Sequence, residues 1–264
     1  MTDPGTDRHG ALMDRVYRRQ RHIYDLTRKY YLFGRDRLIR ELDLAPNERL
    51  VEIGCGTARN LIAIARRYPE AQLFGIDASS EMLDTARQAV ARAGLSHRIA
   101  LVHGYAEELT PRLLGVPVPL DRAIFPYSLS MIPNWRRAIA AAAAALGPDG
   151  RLHIVDFGDL AGMGRAGSAL LRAWLRKFHV EPRTEILGAI EGVCDRHGTL
   201  WVSPGRYAFL WNCSKNDCHS LISPNVAVPP QALGNPGPDR PPCSAAVDMT
   251  GEHPSKWRRM VCSP

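Results

Sequence analysis

The chain predicts an α/β protein with a mostly parallel sheet, helices on both faces and a closing antiparallel hairpin. Three observations carry this. Short β-branched or apolar runs alternate with runs of helical period from residue 12 to residue 212. A glycine pair, Gly54-Cys55-Gly56, stands where the first strand run gives way to a helical one. The last two strand runs are separated by Pro204-Gly205 instead of a helix, so they must lie antiparallel.

In order, RLVEIG (49–54), QLFGID (72–77), RIALVHG (98–104), DRAIFPYS (121–128) and GRLHIVDF (150–157) read as strands. Helical patterns fill the gaps at 58–67, 79–93 and 134–146. Ser79 and Ser80 supply a start signal for the second of these, because a serine hydroxyl can accept from a free N–H of the first turn. Gly147-Pro148-Asp149-Gly150 reads as the turn that ends the alanine-rich helix. Two more helices, 168–178 and 184–196, precede the hairpin of GTLWVSPG and RYAFLWN.

A chain of 264 residues that is 45% hydrophobic can fill one sizeable core. Its longest apolar run, nine residues at 138–146, is too short to span a bilayer, and no secretory leader is read at MTDPGTDRHG. The expected location is therefore cytoplasmic. Three parts are expected: a basic helical segment at 1–45 capping the active site, a catalytic domain at 46–212, and a tail at 213–264. Nine prolines in those last 52 residues, with no hydrophobic period, lead us to expect disorder there. Four of the six cysteines fall in the tail, but Cys213-x4-Cys218-His219 lacks a matching second pair, so no metal site is expected.

The chemistry begins at VEIGCGTARN (51–60). Glycines at 54 and 56 let the backbone turn tightly and approach a ligand. A dinucleotide loop would need a third glycine where Arg59 stands, and Glu52 would repel a phosphate. An acidic residue at that place suits a cationic ligand without phosphate. Asp77, ending the second strand, suits a pair of ribose hydroxyls. Together, E-x-G-x-G and the strand-final Asp77 resemble the Rossmann-like class I methyltransferase core, whose donor is S-adenosyl-L-methionine. The resemblance implies a seven-stranded sheet. It also implies cofactor contacts from Glu52, Gly54, Cys55 and Gly56, from Asp77 and Ala78, and from Met82 on the adenine face. Tyr105 and Ala106, after the third strand, would border the adenine. Phe125-Pro126-Tyr127-Ser128 would lie beside the methionine portion and the incoming nucleophile, with Phe125 against the cofactor; the alternative is that Phe125 and Tyr127 are simply strand residues on opposite faces, one of them core. The D/N-P-P-Y/F/W motif common in enzymes that methylate nucleobase amines is absent there.

On a helical wheel, Val16, Tyr17, Ile23, Tyr24, Tyr30 and Tyr31 share, with other positions from 12 to 34, an arc of roughly 140°. Arg15, Arg18, Arg19, Arg21, Arg28 and Lys29 occupy the rest. Residues 8–41 hold ten Arg/Lys and four Asp/Glu, so 10 − 4 = +6 of the chain's +7 lies in one segment. Such clustering points to an anionic partner, here an anionic membrane surface. The tyrosines either pack on the core or roof the site, where an aromatic face attracts a methylated ammonium.

MDRVYRRQRHIYDLTRKYYLFGRDRLI (13–39), VEIGCGTARNL and YSLSMIPNW (127–135) together resemble the bacterial diacylglycerylhomoserine N-methyltransferases of betaine-lipid synthesis. That resemblance implies successive methylation of the homoserine amine of a diacylglycerol-based lipid, at the inner face of the cell membrane. Tyr127, Ser128, Tyr24 and Tyr31 are the candidate catalytic residues, positioning the nitrogen. A methyltransferase of phosphatidylethanolamine or of a quinone precursor is the alternative. An RNA-binding protein on the same fold is a further one, although no exposed aromatics accompany the arginines and no nucleic acid is expected as partner.

Overall fold

The computed structural model describes residues 33–116, 118–176, 183–194, 198–217 and, as backbone, 258–260; within these, the side chains of 192–194 are not described. Eight strands form one sheet in the order β3-β2-β1-β4-β5-β7-β6-β8. They are β1 (Arg49–Ile53), β2 (Gln72–Asp77), β3 (Ile99–His103), β4 (Leu120–Pro126), β5 (Leu146–Phe157), β6 (Thr199–Val202), β7 (Ala208–Ser214) and β8 (Arg258–Met260). The first five are parallel, and β7 runs antiparallel beside β5 and β6. The first seven give the expected seven-stranded sheet of this class with its closing hairpin.

Alternation along each strand divides the core in two. Val51 and Ile53 pack with Ala123, Phe125 and Ile154 on the face covered by α4 (Trp135–Ala145) and α6 (Thr184–Cys194). Leu50, Leu73, Ile124 and Val155 pack on the opposite face. There lie α1 (Arg35–Glu41), α2 (Arg59–Arg67), α3 (Ser80–Arg92) and α5 (Gly164–Arg176). This period-two division is what lets a parallel sheet carry helices on both sides.

Several sequence expectations change. The last positions of the stripe read to residue 34 are a turn: Gly34 has φ +86°, and a short helix, α1, follows it. A side chain at position 34 would be strained by that angle and would press on Val155 Cγ2, 3.1 Å away. The part of the stripe at 12–32, with Tyr24 and Tyr31, lies outside the described residues. Gly147–Gly150 does not form a free turn but the irregular opening of β5. Leu120 pairs with Leu146 and Arg122 already with Arg151, so the four residues between bulge from the ladder. The helix expected from 168 begins at Gly164.

The boundary at 212 also shifts. β7 continues through Cys213, which is buried, and Ser214. Lys215 donates to the Leu146 carbonyl, so pairing beside β5 carries the order past the expected end. Within the tail expected to be disordered, Arg258–Met260 adds β8 antiparallel to β6. Cys218 and His219 of the weighed zinc motif lie outside the described residues.

Buried polar groups fasten α1 to the sheet. Arg122, within β4, donates to the carbonyls of Leu42 and Asp43 and pairs with Glu48 at 3.1 Å. Asn212 of β7 donates to Glu41 Oε2, and Glu41 pairs with Arg37 at 2.6 Å. Because the Asn212 amide nitrogen is used there, its oxygen accepts from His153 Nδ1 at 2.8 Å. That assigns the neutral histidine its tautomer, with Nε2 bare and without a hydrogen-bond partner.

Candidate active site

Parallel strands end together, and the ends of β1, β2, β4 and β5 bring the expected residues to one edge of the sheet. Glu52 is only 1% exposed in β1. The Asn60 amide of α2 donates to its Oε1 at 2.6 Å, leaving Asn60 Oδ1 buried and without a partner. After β1 the chain turns through Gly54 (φ +73°), Gly56 (φ +52°) and Ala58 (φ +61°). A Cβ at Gly54 would sit 2.6 Å from Ser128 Cβ, so the glycine is required by the close approach of the β4 end as well as by its angle.

Asp77 closes β2 and orients this loop. Its Oδ2 accepts from the Gly56 N–H at 2.7 Å and its Oδ1 from the Ser79 N–H at 2.9 Å. The Ser79 hydroxyl then accepts from the Met82 N–H, the helix-start role expected of it. Met82 is buried. His103 Nε2 contacts the Ala78 carbonyl at 3.0 Å, which ties the β3 end to the β2 end. Tyr105 and Ala106, half-buried, stand at and just inside the start of the following 3-10 turn. Cys55 lies inside the loop with its sulfur turned to Gly75. Burial, then the charges of Asp77 and Glu52, pushes its thiol up.

At the β4 end the structure separates residues that the sequence grouped. Phe125 is buried in the core on the α4 side, so its ring packs there. Tyr127 has φ +60°, which turns its ring to the opposite core, against Phe157 at 4.8 Å between centroids. Its hydroxyl donates to the Phe33 carbonyl. Tyr127 therefore builds a wall and anchors the entering N-terminal segment; this phenol does not stand free to position a nitrogen. Burial pushes it well above the ordinary tyrosine range. Ser128 differs: it is buried, lies against Gly54, and its hydroxyl has no hydrogen-bond partner.

Two contributors were missed in the sequence. Asn60 is a polar residue in the first turn of a helix, and only its pairing with Glu52 distinguishes it. Asp156, a single acid closing the apolar run of β5, is buried. Its carboxylate accepts from the Ser130 N–H at 3.0 Å and from its neighbour Phe157 N–H at 2.7 Å. It thereby holds the turn carrying Ser128, while burial raises its pKa to about 6. Among the described residues no cluster of His, Cys, Asp or Glu could hold a metal.

A glycine turn at the first strand end, a strand-final acid beside it and a 3-2-1-4-5-7-6 sheet define a class I methyltransferase fold and cofactor site. A family model described as a methyltransferase domain matches residues 50–150. The chain is 32% identical over 185 residues to the ubiquinone/menaquinone biosynthesis C-methyltransferase UbiE of Syntrophotalea carbinolica, covering 68% of this chain and 72% of that one. It is 33% identical over 136 residues to a trans-aconitate 2-methyltransferase of Pseudomonas paraeruginosa, spanning 48% of that protein. Among solved structures, a SAM-dependent methyltransferase from Aquifex aeolicus shares the fold with TM-score 0.51 and 18% identity, covering 71% of this chain and 92% of that one. Another from Thermotoga maritima gives 0.53 and 17%, with coverage of 77% and 99%. The chain belongs to the S-adenosylmethionine-dependent class I methyltransferases, and its methyl donor is S-adenosyl-L-methionine.

The residues present fit that donor. Glu52, Asp77 and the bare Asn60 oxygen are acceptors or anions, matching an ammonium, a sulfonium and ribose hydroxyls. When bound, the donor supplies an electrophilic methyl group. The protein's part is to hold donor and acceptor in line and exclude water.

Proposed function

We propose that this methyltransferase acts on the homoserine amine of a diacylglycerol-based lipid, transferring methyl groups in succession to a trimethylated betaine head group. One observation carries the reading. The N-terminal motif that resembles the homoserine-lipid enzymes enters the described structure at Phe33, and Tyr127 grips it there, one residue from Ser128. The described end of that motif, at Phe33, is thus held beside Ser128, where this reading puts the acceptor. The lipid amine arrives protonated and must lose a proton before attack; a buried site favours the neutral amine, and Ser128 Oγ can accept from it. Tyr24 and Tyr31 belong to the same proposal as aromatic neighbours of the methylated nitrogen.

The relative named for ubiquinone/menaquinone biosynthesis favours a second reading, methylation of a quinone precursor at carbon. Mass spectrometry after incubating the full chain with S-adenosylmethionine separates the two. Diacylglycerylhomoserine, phosphatidylethanolamine and a demethylated quinone are supplied in parallel. Mono-, di- and trimethylated homoserine lipid is the expected product. Methylation of the quinone alone would replace this reading with the second.

A further inference from the structure

α5 presents an apolar stripe to the outside. Leu170 is 75% exposed, and Ala166, Ala169 and Ala173 are exposed beside it, three or four residues apart along one side of the helix. Met163, one residue before the helix, is 39% exposed. The opposite side carries the buried Leu175 and the half-buried Leu171 and Trp174 into the core with Tyr207. Alanine favours a helix wherever it stands, so the residue to account for is Leu170, which lies out of the core among those alanines.

Charge says what covers that face. α5 contains Arg165, Arg172 and Arg176 and no acidic residue. Arg165 and Arg176 are exposed at its two ends, bracketing the stripe, while Arg172 is held by the Asp159 carbonyl at 3.0 Å. An apolar stripe flanked by arginines, with no acid in the helix itself, is the composition of a helix lying in the interface of an anionic bilayer.

A second, sequence-distant feature points the same way. The +6 segment 8–41 joins the described fold at Phe33, which is 52% exposed. The Phe33 ring packs edge-on against Tyr207 at 5.4 Å, and Tyr207 belongs to the core cluster that receives Leu171 and Trp174. The chain's described N-terminal end is therefore on the same face of the sheet as α5. The helix also starts seven residues after β5 ends, at the strand edge that carries Ser128.

We propose that the exposed face of α5 docks this methyltransferase onto an anionic phospholipid surface, with Leu170 inserted and Arg165 and Arg176 on the head groups. Docking there brings the open edge of the sheet to the source of a lipid substrate. This last step rests on the lipid reading above; the docking itself does not.

Cosedimentation of the full chain with vesicles tests it, using phosphatidylcholine alone and phosphatidylcholine mixed with phosphatidylglycerol. Wild type is expected on the mixed vesicles and not on the neutral ones. Leu170→Asp should lose at least tenfold in binding, and Arg165→Glu with Arg176→Glu about 25-fold or more. All variants should keep wild-type affinity for S-adenosylhomocysteine, which shows that they fold. Equal binding by the variants, or none by wild type, overturns the proposal. A wild-type dimer in sedimentation velocity that Leu170→Asp dissociates would make the face a contact between copies instead. A lowered melting temperature with unchanged vesicle binding would show it covered by the chain's own residues, and would also overturn docking. Homoserine-lipid methylation is read separately: a failure there, with vesicle binding intact, removes the substrate and leaves the docking.

Discussion

At the scale of single residues, the cofactor site is a set of acceptors held by their neighbours. Asn60 fixes one oxygen of Glu52 and turns its own bare oxygen into the same buried space. Asn60→Ala should weaken S-adenosylhomocysteine about tenfold by calorimetry, near the loss of one hydrogen bond to a charged group. Methylthioadenosine, which lacks the amino-acid portion, should bind the variant as it binds wild type. Equal weakening of both ligands would mean that Asn60 only supports the helix. Gly54→Ala tests the backbone: φ +73° and a Cβ 2.6 Å from Ser128 Cβ leave no room. The expected cost is about 2–3 kcal/mol in chemical denaturation, together with lost cofactor binding. Ser128→Ala should leave cofactor affinity unchanged and slow turnover in the methylation assay, because its hydroxyl bonds to no other group among the described residues.

At the scale of elements, Tyr127 shows how one residue joins two parts of the fold. It follows β4 with a positive φ, packs on Phe157 and holds the Phe33 carbonyl ahead of α1. Tyr127→Phe keeps the ring and removes the hook. Stability should fall by about 1 kcal/mol, and amide exchange should quicken in α1 more than in β4. Uniform acceleration would show that the hydroxyl does not act locally. The strands were legible in the sequence because buried parallel strands are written as apolar runs; β1 and β2 begin where those runs begin. The glycine loop and Asp77 were legible because their roles are set by backbone geometry at fixed spacing. Tyr127 was not, since period-two reasoning says nothing of a residue whose φ flips it to the other core. The start of β5 at Leu146 was hidden because Gly-Pro-Asp-Gly has turn composition whether or not a strand bulges through it. Asp156 and His153 were hidden among apolar neighbours, where a polar residue in a strand shows no partner until the fold brings one.

At the scale of the whole molecule, those last two residues set opposing pH dependences on one central strand. His153 is held neutral by burial, its pKa lowered from 6.5 to about 4. Between those values the unfolded chain binds a proton that the native protein refuses, so stability is lost as pH falls from 6.5 to 4. Asp156 runs the other way, its pKa raised by burial from 3.8 to about 6. There the native protein keeps a proton that the unfolded chain gives up, so stability is lost as pH rises from 3.8 to 6. Each shift corresponds to about 3 kcal/mol, and the windows overlap. The wild-type contribution of this pair should therefore be nearly flat between pH 4 and 6, while each variant exposes the partner's slope. Asp156→Asn should lose stability toward pH 4 more steeply than wild type, and His153→Gln should gain it. Denaturant unfolding at several pH values reads this from slopes, whatever constant offset each substitution adds. Slopes equal to wild type in both variants would show that neither group carries a shifted pKa. Near pH 7 Asp156 is ionised, and its two N–H bonds are then charge-assisted, holding the turn of Ser128 most firmly where the buried histidine is also neutral. Comparing the unfolding profile with the pH profile of methyl transfer should show the activity maximum on the alkaline side of about pH 6, above the window in which Asp156 loses its proton.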